Sequence, residues 1–486
     1  MITFIIGLAI LVIGGMVYGR ISERIMAPTD ATTPAVARRD NMDFVPIKKR
    51  KNCLIELLNI AGTGPILGPL QGALFGPIAF ITIPIGCVIG GAFSDYMTGM
   101  MSVRNNGDQM PGLIRRFLGK HIYVFYNVFM CLSLLLVGAV FVYMPGDLFV
   151  THILNQESST SNPAVWIVYG AIFVYYILAT LIPIDKIIGK FYPVLGAVLL
   201  LSTVGIFIGL FLKGYPLVEL WDMANAGYPY QDHFIPIFFV TVTCGLVSGF
   251  HAPQVTLVSR TISHEKDGRE VFYNMMIVEG FIAMVWAAAG IGALELAITD
   301  AATIRGSVTQ VVGIIAKNML GEFGGIIAII GVIILPITTG DTSLRSLRLI
   351  VSDALHIDNK DKKKILIVAL CIFAVVAVLL VWAKSNPEGF NILWRYFSWA
   401  NETIAFFGFT AIAVYMKINN MPYIMALIPG AFYMYIISCY ILSAKIGFNI
   451  PWNASYVIAG ALTVAYFLLV VLMKRKTSST SIDCTG

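Results

Sequence analysis

Residues 59–69 read Asn-Ile-Ala-Gly-Thr-Gly-Pro-Ile-Leu-Gly-Pro, in the middle of an apolar segment, residues 53–75, that is long enough to cross a bilayer. Each proline removes a backbone N–H donor, so this stretch is unfavourable for a straight helix that faces lipid. Irregular backbone at membrane depth persists only where it is buried in protein or lines a watery cavity. The stretch therefore predicts a broken helix whose free backbone groups bind ions or substrate. The alternative is a kinked packing helix that uses small residues for close helix contact.

The composition indicates an all-α polytopic membrane protein. Of the 486 residues, 58% are hydrophobic and 12% are charged, and apolar runs of bilayer-spanning length recur along the chain. The net charge of +6 comes from short basic clusters between these runs, which is the pattern of orientation signals rather than of a nucleic-acid-binding surface. The seven cysteines show no C-x-x-C or His/Cys ligand spacing, so neither a metal site nor a disulfide framework is expected.

Charge placement predicts about thirteen transmembrane helices, with the N-terminus outside and the C-terminus inside, because every strongly basic connection then falls on one side. The first run, residues 2–18, lacks a basic leader and is interpreted as a retained helix. The predicted units are an extra helix (1–19), a basic cytoplasmic loop (20–52), two five-helix repeats (53–212 and 234–416), two extra helices (421–473) and a cytoplasmic tail (474–486).

A second irregular stretch predicts that the two five-helix units are inverted repeats. Residues 244–254 read Cys-Gly-Leu-Val-Ser-Gly-Phe-His-Ala-Pro-Gln, in a span that runs inward, whereas the span of residues 53–75 runs outward. Opposed repeats that each open with a broken helix are typical of secondary transporters; a coincidental kink is the alternative. We therefore expect residues 62–65 and 249–253 to be non-helical and to face one central cavity.

Side chains of the two breaks are the candidates for binding substrate. His251 is the only histidine placed in mid-span, and imidazole can carry a proton near neutral pH; a neutral histidine bonded to a carbonyl is the alternative. Gln254 offers a neutral donor and acceptor for a carboxylate or an amide. The expected substrate-binding residues are Gly62, Thr63, Gly64, Ser248, Phe250, His251 and Gln254.

A third polar stretch, residues 336–348, predicts an ion site. Asp341 and Arg345 lie one helical turn apart and can pair, while the neighbouring threonine hydroxyls can complete a sodium site against a broken helix. A polar helix end that simply leaves the membrane is the alternative, and it suits Arg348. The expected ion-coupling residues are Ala61, His251, Thr338, Thr339, Asp341 and Thr342.

Charged residues elsewhere in the spans need partners. We expect Asp95 to pair with Arg104 or with another base on the cytoplasmic side as a gate, with Arg345 as a further gating residue; Glu279, Glu295 and Glu402 are lesser candidates. No nucleophile–base set or pair of carboxylates suggests an enzyme, and no P-loop or other cofactor motif is present, so transport would draw on an ion gradient. A nutrient sensor or a channel is the remaining alternative.

These motifs resemble the carbon starvation protein A family of inner-membrane transporters. The matching pieces are residues 59–69, Ser94-Asp95-Tyr96 with Ser102-Val103-Arg104, residues 248–254 and residues 338–346. The resemblance implies the five-plus-five fold of the amino acid–polyamine–organocation superfamily, with core spans one, six and eight at residues 53–75, 234–259 and 324–348. It also implies import of peptides or pyruvate across the bacterial cytoplasmic membrane when preferred carbon sources run out.

The coupling ion stays open between sodium and the proton. Sodium would use carbonyls of residues 60–63 with the threonine hydroxyls, whereas a proton would use Asp341 or His251. Because a cationic Arg345 holds the Asp341 carboxylate ionised, the residues favour His251 or sodium. The pyruvate–proton members of the resembling family favour the proton slightly.

We predict that single cysteines at Thr160 and Lys362 are labelled from opposite sides of the membrane, because the first lies in a loop without lysine or arginine and the second in a basic run. Labelling with a membrane-impermeant maleimide, in intact and in permeabilised cells, measures this. Labelling of both positions from one side would refute the thirteen-span topology.

Overall fold

The computed structural model describes residues 1–40, 43–181, 184–357, 361–386 and 388–473, and the predicted tail, residues 474–486, lies outside them. Regular secondary structure in these ranges is helical. The α-helices are α1 (Ile2–Ala9), α2 (Gly15–Met26), α3 (Pro34–Ala37), α4 (Lys49–Ile60), α5 (Gly64–Gly72), α6 (Ala79–Gly86), α7 (Ala92–Arg104), α8 (Met110–Leu118), α9 (Lys120–Leu148), α10 (Pro163–Leu181), α11 (Ile184–Leu212), α12 (Phe234–Thr241), α13 (His251–Val258), α14 (Asn274–Glu295), α15 (Ala301–Ala354), α16 (Lys362–Ser385), α17 (Gly389–Ile418), α18 (Ile424–Ser443) and α19 (Trp452–Leu472).

Eight helical stretches of the described chain are long and apolar enough to cross a membrane. They are Ile2–Met26, Gly64–Arg104, Lys120–Ile153, Glu265–Glu295, Ala301–Ala354, Lys363–Ser385, Ile424–Ser443 and Trp452–Leu472. Two shorter apolar helices, Pro163–Ala179 and Gly196–Leu212, add to them. The expected all-α multi-pass architecture is therefore confirmed, whereas the count of thirteen spans and the inverted repeat stay predictions.

The first break separates α4 from α5. Helix α4 ends at Ile60, and α5 begins at Gly64 with Pro65 in its first turn. Proline is tolerated in a first turn because the N–H groups there have no intrahelical partner. The expectation of non-helical backbone at residues 62–65 is thus wrong for Gly64 and Pro65, and the break covers residues 61–63.

The second break is longer and covers residues 242–250, between α12 and α13. Within it, Gly245 adopts φ +87°, a left-handed conformation that favours glycine. The expectation of non-helical backbone at residues 249–253 is wrong from His251 onward, since His251 begins α13 and Pro253 again occupies a first turn.

The two breaks lie against each other. A Cβ atom on Gly64 would stand 2.1 Å from Cβ of Cys244, and one on Gly68 would stand 2.8 Å from the carbonyl oxygen of Thr241. On the far side of the second break, a Cβ on Gly249 would stand 2.1 Å from the carbonyl oxygen of Asn401 in α17. Glycine at these positions lets three backbone segments approach more closely than any side chain permits.

Helix α15 runs from Ala301 to Ala354 and contains the predicted core span, residues 324–348. The helical conformation is interrupted at Ser307 (φ −144°) and at Gly321 (φ +71°), so the chain changes direction within it. Packed elements hold this helix in place, since α9 and α11 both lie along it.

Polar contacts show which connecting segments lie next to each other. Glu219, in the loop after α11, accepts hydrogen bonds from the Thr3 backbone N–H (2.8 Å) and hydroxyl (2.6 Å), so this loop and the N-terminus share one end. Lys49 pairs with Glu270 at 2.9 Å, which joins the beginning of α4 to the segment before α14. Each grouping matches the predicted sides, while the direction of the bundle in the membrane stays a prediction.

We predict that Gly64→Ala destabilises the protein by about 1–3 kcal/mol, because the added methyl group overlaps Cys244. The double variant Gly64→Ala/Cys244→Gly removes the overlapping side chain and should recover most of that loss. Thermal unfolding in detergent, followed by size-exclusion chromatography, measures both.

Gly62→Ala is the matched control for this prediction. Its Cβ would meet Phe141 and Thr339 at 3.4 Å, which is ordinary van der Waals contact, so stability should change little. Equal loss in the Gly62 and Gly64 variants, or no recovery in the double variant, would contradict the close contact of the two breaks.

Candidate functional site

His251, the first residue of α13, lies between two carboxylates. Its Nδ1 atom is 2.9 Å from Oδ2 of Asp95 in α7, and its Nε2 atom is 3.4 Å from Oε2 of Glu279 in α14. All three side chains are at most 3% exposed. An imidazole that is shielded from water and bridged to two carboxylates can hold and exchange a proton without exposing it to lipid.

The pairing of Asp95 with Arg104 is wrong. Asp95 bonds to His251, and Arg104 pairs instead with Glu265 at 3.1 Å and donates to the carbonyl of Ala27 at 2.9 Å. Asp95 lies about two and a half helical turns before the end of α7, within the span, whereas Arg104 is the last residue of that helix. Asp95 and Arg104 are close in sequence, but they lie on one continuous helix, which holds their side chains apart along its axis.

Glu56 is a further buried carboxyl group, which sequence reasoning missed. It lies in α4 one turn before the first break, is fully buried, and neither carboxylate oxygen has a hydrogen-bond partner among the described residues. It lies within electrostatic range of Asp95, His251 and Glu279. The sequence held one sign of this residue, because Glu56 shares a helical face with Asn59 and Thr63. The basic residues 48–51 just before it made Glu56 look like part of the cytoplasmic loop.

Asn401 of α17 supports the second break. Its Oδ1 atom accepts from the backbone N–H of Phe250 (2.9 Å) and from the hydroxyl of Ser248 (3.2 Å). Its Nδ2 group approaches the Cys244 sulfur at 3.7 Å, so one amide spans most of the break. The ring of Phe250 stacks on Phe397 of the same helix, with centroids 5.1 Å apart. Sequence reasoning selected the neighbouring Glu402 and overlooked this asparagine.

The polar stretch of α15 lies beside both breaks. Thr339 donates to the carbonyl of Leu58, near the end of α4, at 3.3 Å, and Ser343 accepts from Nε2 of Gln254 in α13 at 3.0 Å. The structure therefore brings together the three sequence motifs, which are the two breaks and the polar stretch of residues 336–348.

The hydroxyl groups in this stretch point largely to backbone oxygens. Thr338 donates to Leu335 at 2.8 Å, and Thr342 donates to the carbonyl of Thr339 at 3.1 Å. Arg345 donates to the carbonyl of Ala179 at 2.7 Å. Asp341 is buried one turn before Arg345, and their functional pairing stays a prediction.

The residues of the two breaks are closely packed in this conformation. Gly62, Thr63, Ser248 and Phe250 are buried, and a cavity of about 470 Å³ among the described residues lies to one side of them, with Thr241 in its lining. Helices α14 and α17 pack against the second break, and a central cavity shared by both breaks stays a prediction.

Comparison with known proteins identifies the family. The family described as carbon starvation protein CstA matches residues 1–189 and 145–319 of this chain. The chain belongs to this family. An uncharacterized membrane protein of Haemophilus influenzae is 38% identical over 340 residues, which are 61% of this chain and 92% of that protein.

Several relatives of this CstA-family chain are named transporters. The peptide transporter CstA of Escherichia coli is 23% identical over 545 aligned residues, covering 85% of this chain and 76% of its own. The pyruvate/proton symporter BtsT of Escherichia coli is 24% identical over 328 residues, covering 54% of this chain and 45% of its own. The chain thus spans about half the length of the BtsT relative, and 47% of a Helicobacter pylori peptide transporter CstA.

A solved structure shares the fold. The crystal structure of the Eremococcus coleocola manganese transporter, in complex with an aromatic bis-isothiourea substituted compound, superposes with a TM-score of 0.57 over 89% of this chain and 96% of that one. Sequence identity is 11%, so the likeness shows the shared architecture alone.

Cys244, His251 and Glu279 of this CstA-family chain could together hold a metal ion. One ligand atom from each lies within 4.8 Å of the others, and all three residues are buried. Thiolate, imidazole and carboxylate are the ligands of zinc and related ions, and Asp95 would orient the imidazole from its other nitrogen. The sequence did not predict this group because its members come from three separate elements.

We predict that Asn401→Ala destabilises the protein by about 1–3 kcal/mol, since it leaves the buried Phe250 N–H and Ser248 hydroxyl without their acceptor. Asn391→Ala is the matched control in the same helix, because its amide donates to the exposed side chain of Glu388. Thermal unfolding of both purified variants measures the difference. An unchanged Asn401 variant would show that the second break is held by other contacts.

Proposed function

We propose that this CstA-family chain is a proton-coupled importer of a small carboxylate-bearing nutrient, pyruvate or a short peptide, that works by alternating access. The observation that carries the proposal is the position of His251, which begins the helix after the second break and lies between Asp95 and Glu279. A titratable group at that point can respond both to protons and to movement of the broken helix.

Charge balance in the buried cluster favours proton binding. Glu56, Asp95 and Glu279 supply three carboxyl groups against one imidazole, and all four side chains are buried. An uncompensated charge in such surroundings costs several kcal/mol, so a cluster near neutrality must hold protons on some of these groups. Because the groups interact, the protons bind and leave as a property of the cluster rather than of a single residue.

The cluster joins elements that alternating access would move relative to each other. Glu56 lies in α4, which leads to the first break, and His251 lies in α13, which leaves the second, while Asp95 and Glu279 come from α7 and α14. Protonation changes the attraction between His251 and its two carboxylates, and so changes the relative free energies of the conformations that keep or separate them. A proton gradient would then bias the transport cycle.

Substrate class and membrane follow from relatives by analogy. The E. coli relatives are named a peptide transporter and a pyruvate/proton symporter, and both kinds of solute carry a carboxylate. Ser248, Phe250 and Gln254, with Gly62, Thr63 and Gly64, remain the proposed substrate contacts. The proposal includes the cytoplasmic membrane, thirteen spans with an external N-terminus, and a five-plus-five inverted repeat.

A sodium-coupled importer of amino acids or other small organic acids is the alternative. It would use Ala61, Thr338, Thr339 and Thr342, with Asp341. The hydroxyls of the three threonines donate to the backbone carbonyls of Leu335, Leu58 and Thr339, and a hydroxyl that donates its proton still offers oxygen lone pairs to a cation. The proposal of proton coupling therefore rests on the cluster around His251 and not on these threonines.

We predict that reconstituted protein accumulates radiolabelled pyruvate or a dipeptide when the outside is made acidic, without sodium. His251→Ala should abolish accumulation while leaving exchange of substrate between the two sides, because exchange needs the substrate site but not net proton movement. Uptake into proteoliposomes, with and without an imposed pH gradient and with a sodium gradient in a parallel series, measures this.

His121→Ala is the matched control, since His121 is exposed at the start of α9. It should retain accumulation at the level of the unmodified protein. Uptake that requires sodium, ignores the pH gradient and survives His251→Ala would refute proton coupling through this histidine.

A further inference from the structure

A cavity of about 470 Å³ opens at the end of the bundle that carries the N-terminus and the loop after α11. Its walls come from α5, α12, α17 and α18, with the ends of α15 and α19. This volume is typical of small-molecule sites. None of the substrate or coupling residues discussed above lines it.

The rim of the cavity is positively charged. Arg305, Arg395 and Lys445 line it from three different segments, and all three are exposed; we call them the basic mouth. No aspartate or glutamate is among the described residues that line the cavity. Cations gathered at a concave surface without acidic neighbours raise the local concentration of anions.

The inner part of the cavity offers neutral hydrogen-bond donors. Ser398 is 2% exposed, and its hydroxyl has no hydrogen-bond partner among the described residues. Gln71 accepts from Nε1 of Trp394 at 3.1 Å, which leaves its NH₂ group as a donor. We call Ser398 and Gln71 the floor. A buried hydroxyl without a partner costs free energy unless a ligand or a water satisfies it.

The floor adjoins both broken spans. Gln71 lies near the end of α5, the helix that follows the first break, and Thr241, which also lines the cavity, is the last residue of α12 before the second break. Ser398 precedes Asn401, which supports that second break, by one turn of α17. A ligand in the cavity would therefore contact the elements that must move to admit it.

We propose that this cavity is an outer binding site for a small monocarboxylate, in which the basic mouth attracts the anion and the floor donates hydrogen bonds to its carboxylate. The site is separate from the buried cluster around His251, and its place as the entry station for transport rests on the proposed function. Binding of the anion to this cavity does not rest on the proposed function, because the cavity is already present in this conformation and needs no proton movement to form.

The test measures equilibrium binding of radiolabelled pyruvate to purified protein in detergent, together with the KM of uptake in proteoliposomes. The double variant Arg395→Gln/Lys445→Gln should raise the Kd for pyruvate about tenfold at low salt, and this effect should shrink as salt is added. Methyl pyruvate, which has no charge, should compete equally weakly with binding to both proteins. Ser398→Ala should weaken pyruvate binding at every salt concentration, since it removes a neutral donor.

Lys213→Gln is the matched control, because Lys213 is an exposed cation of the loop after α11 that does not line the cavity. It should leave the Kd unchanged. An equal effect of Lys213→Gln, an unchanged Kd in the double variant, or no pyruvate binding to the unmodified protein would overturn the outer site.

The outcomes separate this proposal from the proposed function. His251→Ala should bind pyruvate normally in the outer cavity and still fail to accumulate it. Binding that depends on the basic mouth, in a protein that accumulates nothing under a pH gradient, would support the outer site and refute proton-coupled import. Accumulation with an unchanged KM in the double variant would support proton-coupled import and refute the outer site.

Discussion

Interrupted backbone in the interior of a membrane protein has to be satisfied by other protein atoms, because hydrocarbon offers no hydrogen bonds. In this chain the second break, residues 242–250, depends on Asn401, whose side-chain oxygen serves both a backbone N–H and a hydroxyl. The first break lies against the second through Gly64 and Cys244. The remaining architecture, from the small residues at these contacts to the helices that cover them, follows from this requirement.

The same arrangement concentrates ionisable groups. Helix α13 starts in the interior of the protein, so its first residue, His251, is buried and neighbouring helices must supply its partners. Asp95 and Glu279 do so from α7 and α14. Glu56 joins them from the element that leads into the first break. The buried ionisable groups therefore lie beside the two helix breaks, and His251 is the residue at which the second break ends.

Polarity changes from the end of the bundle that carries the N-terminus to this buried cluster. Exposed cations lie at the rim of the cavity at that end, Ser398 and Gln71 lie deeper in its lining, and the cluster around His251 is buried and does not line the cavity. Under the proposed function, an anion that entered here would exchange long-range attraction for hydrogen bonds before it reached the two breaks.

The sequence by itself determined the membrane class, the helical architecture and the two places where helices break, because hydropathy, proline and glycine act locally along the chain. It also selected His251, Asp95 and Glu279 as buried ionisable residues, since charge within an apolar run is visible without a fold. It did not determine that these three meet, that Arg104 pairs with Glu265, or that Asn401 supports the second break. The contacts Asp95–His251, Arg104–Glu265 and Phe250–Asn401 join residues more than 150 positions apart, and only helix packing brings such residues together. The tertiary structure also decided where each break ends, because a first helical turn accepts proline and the sequence alone could not show on which side of Pro65 and Pro253 the helix begins.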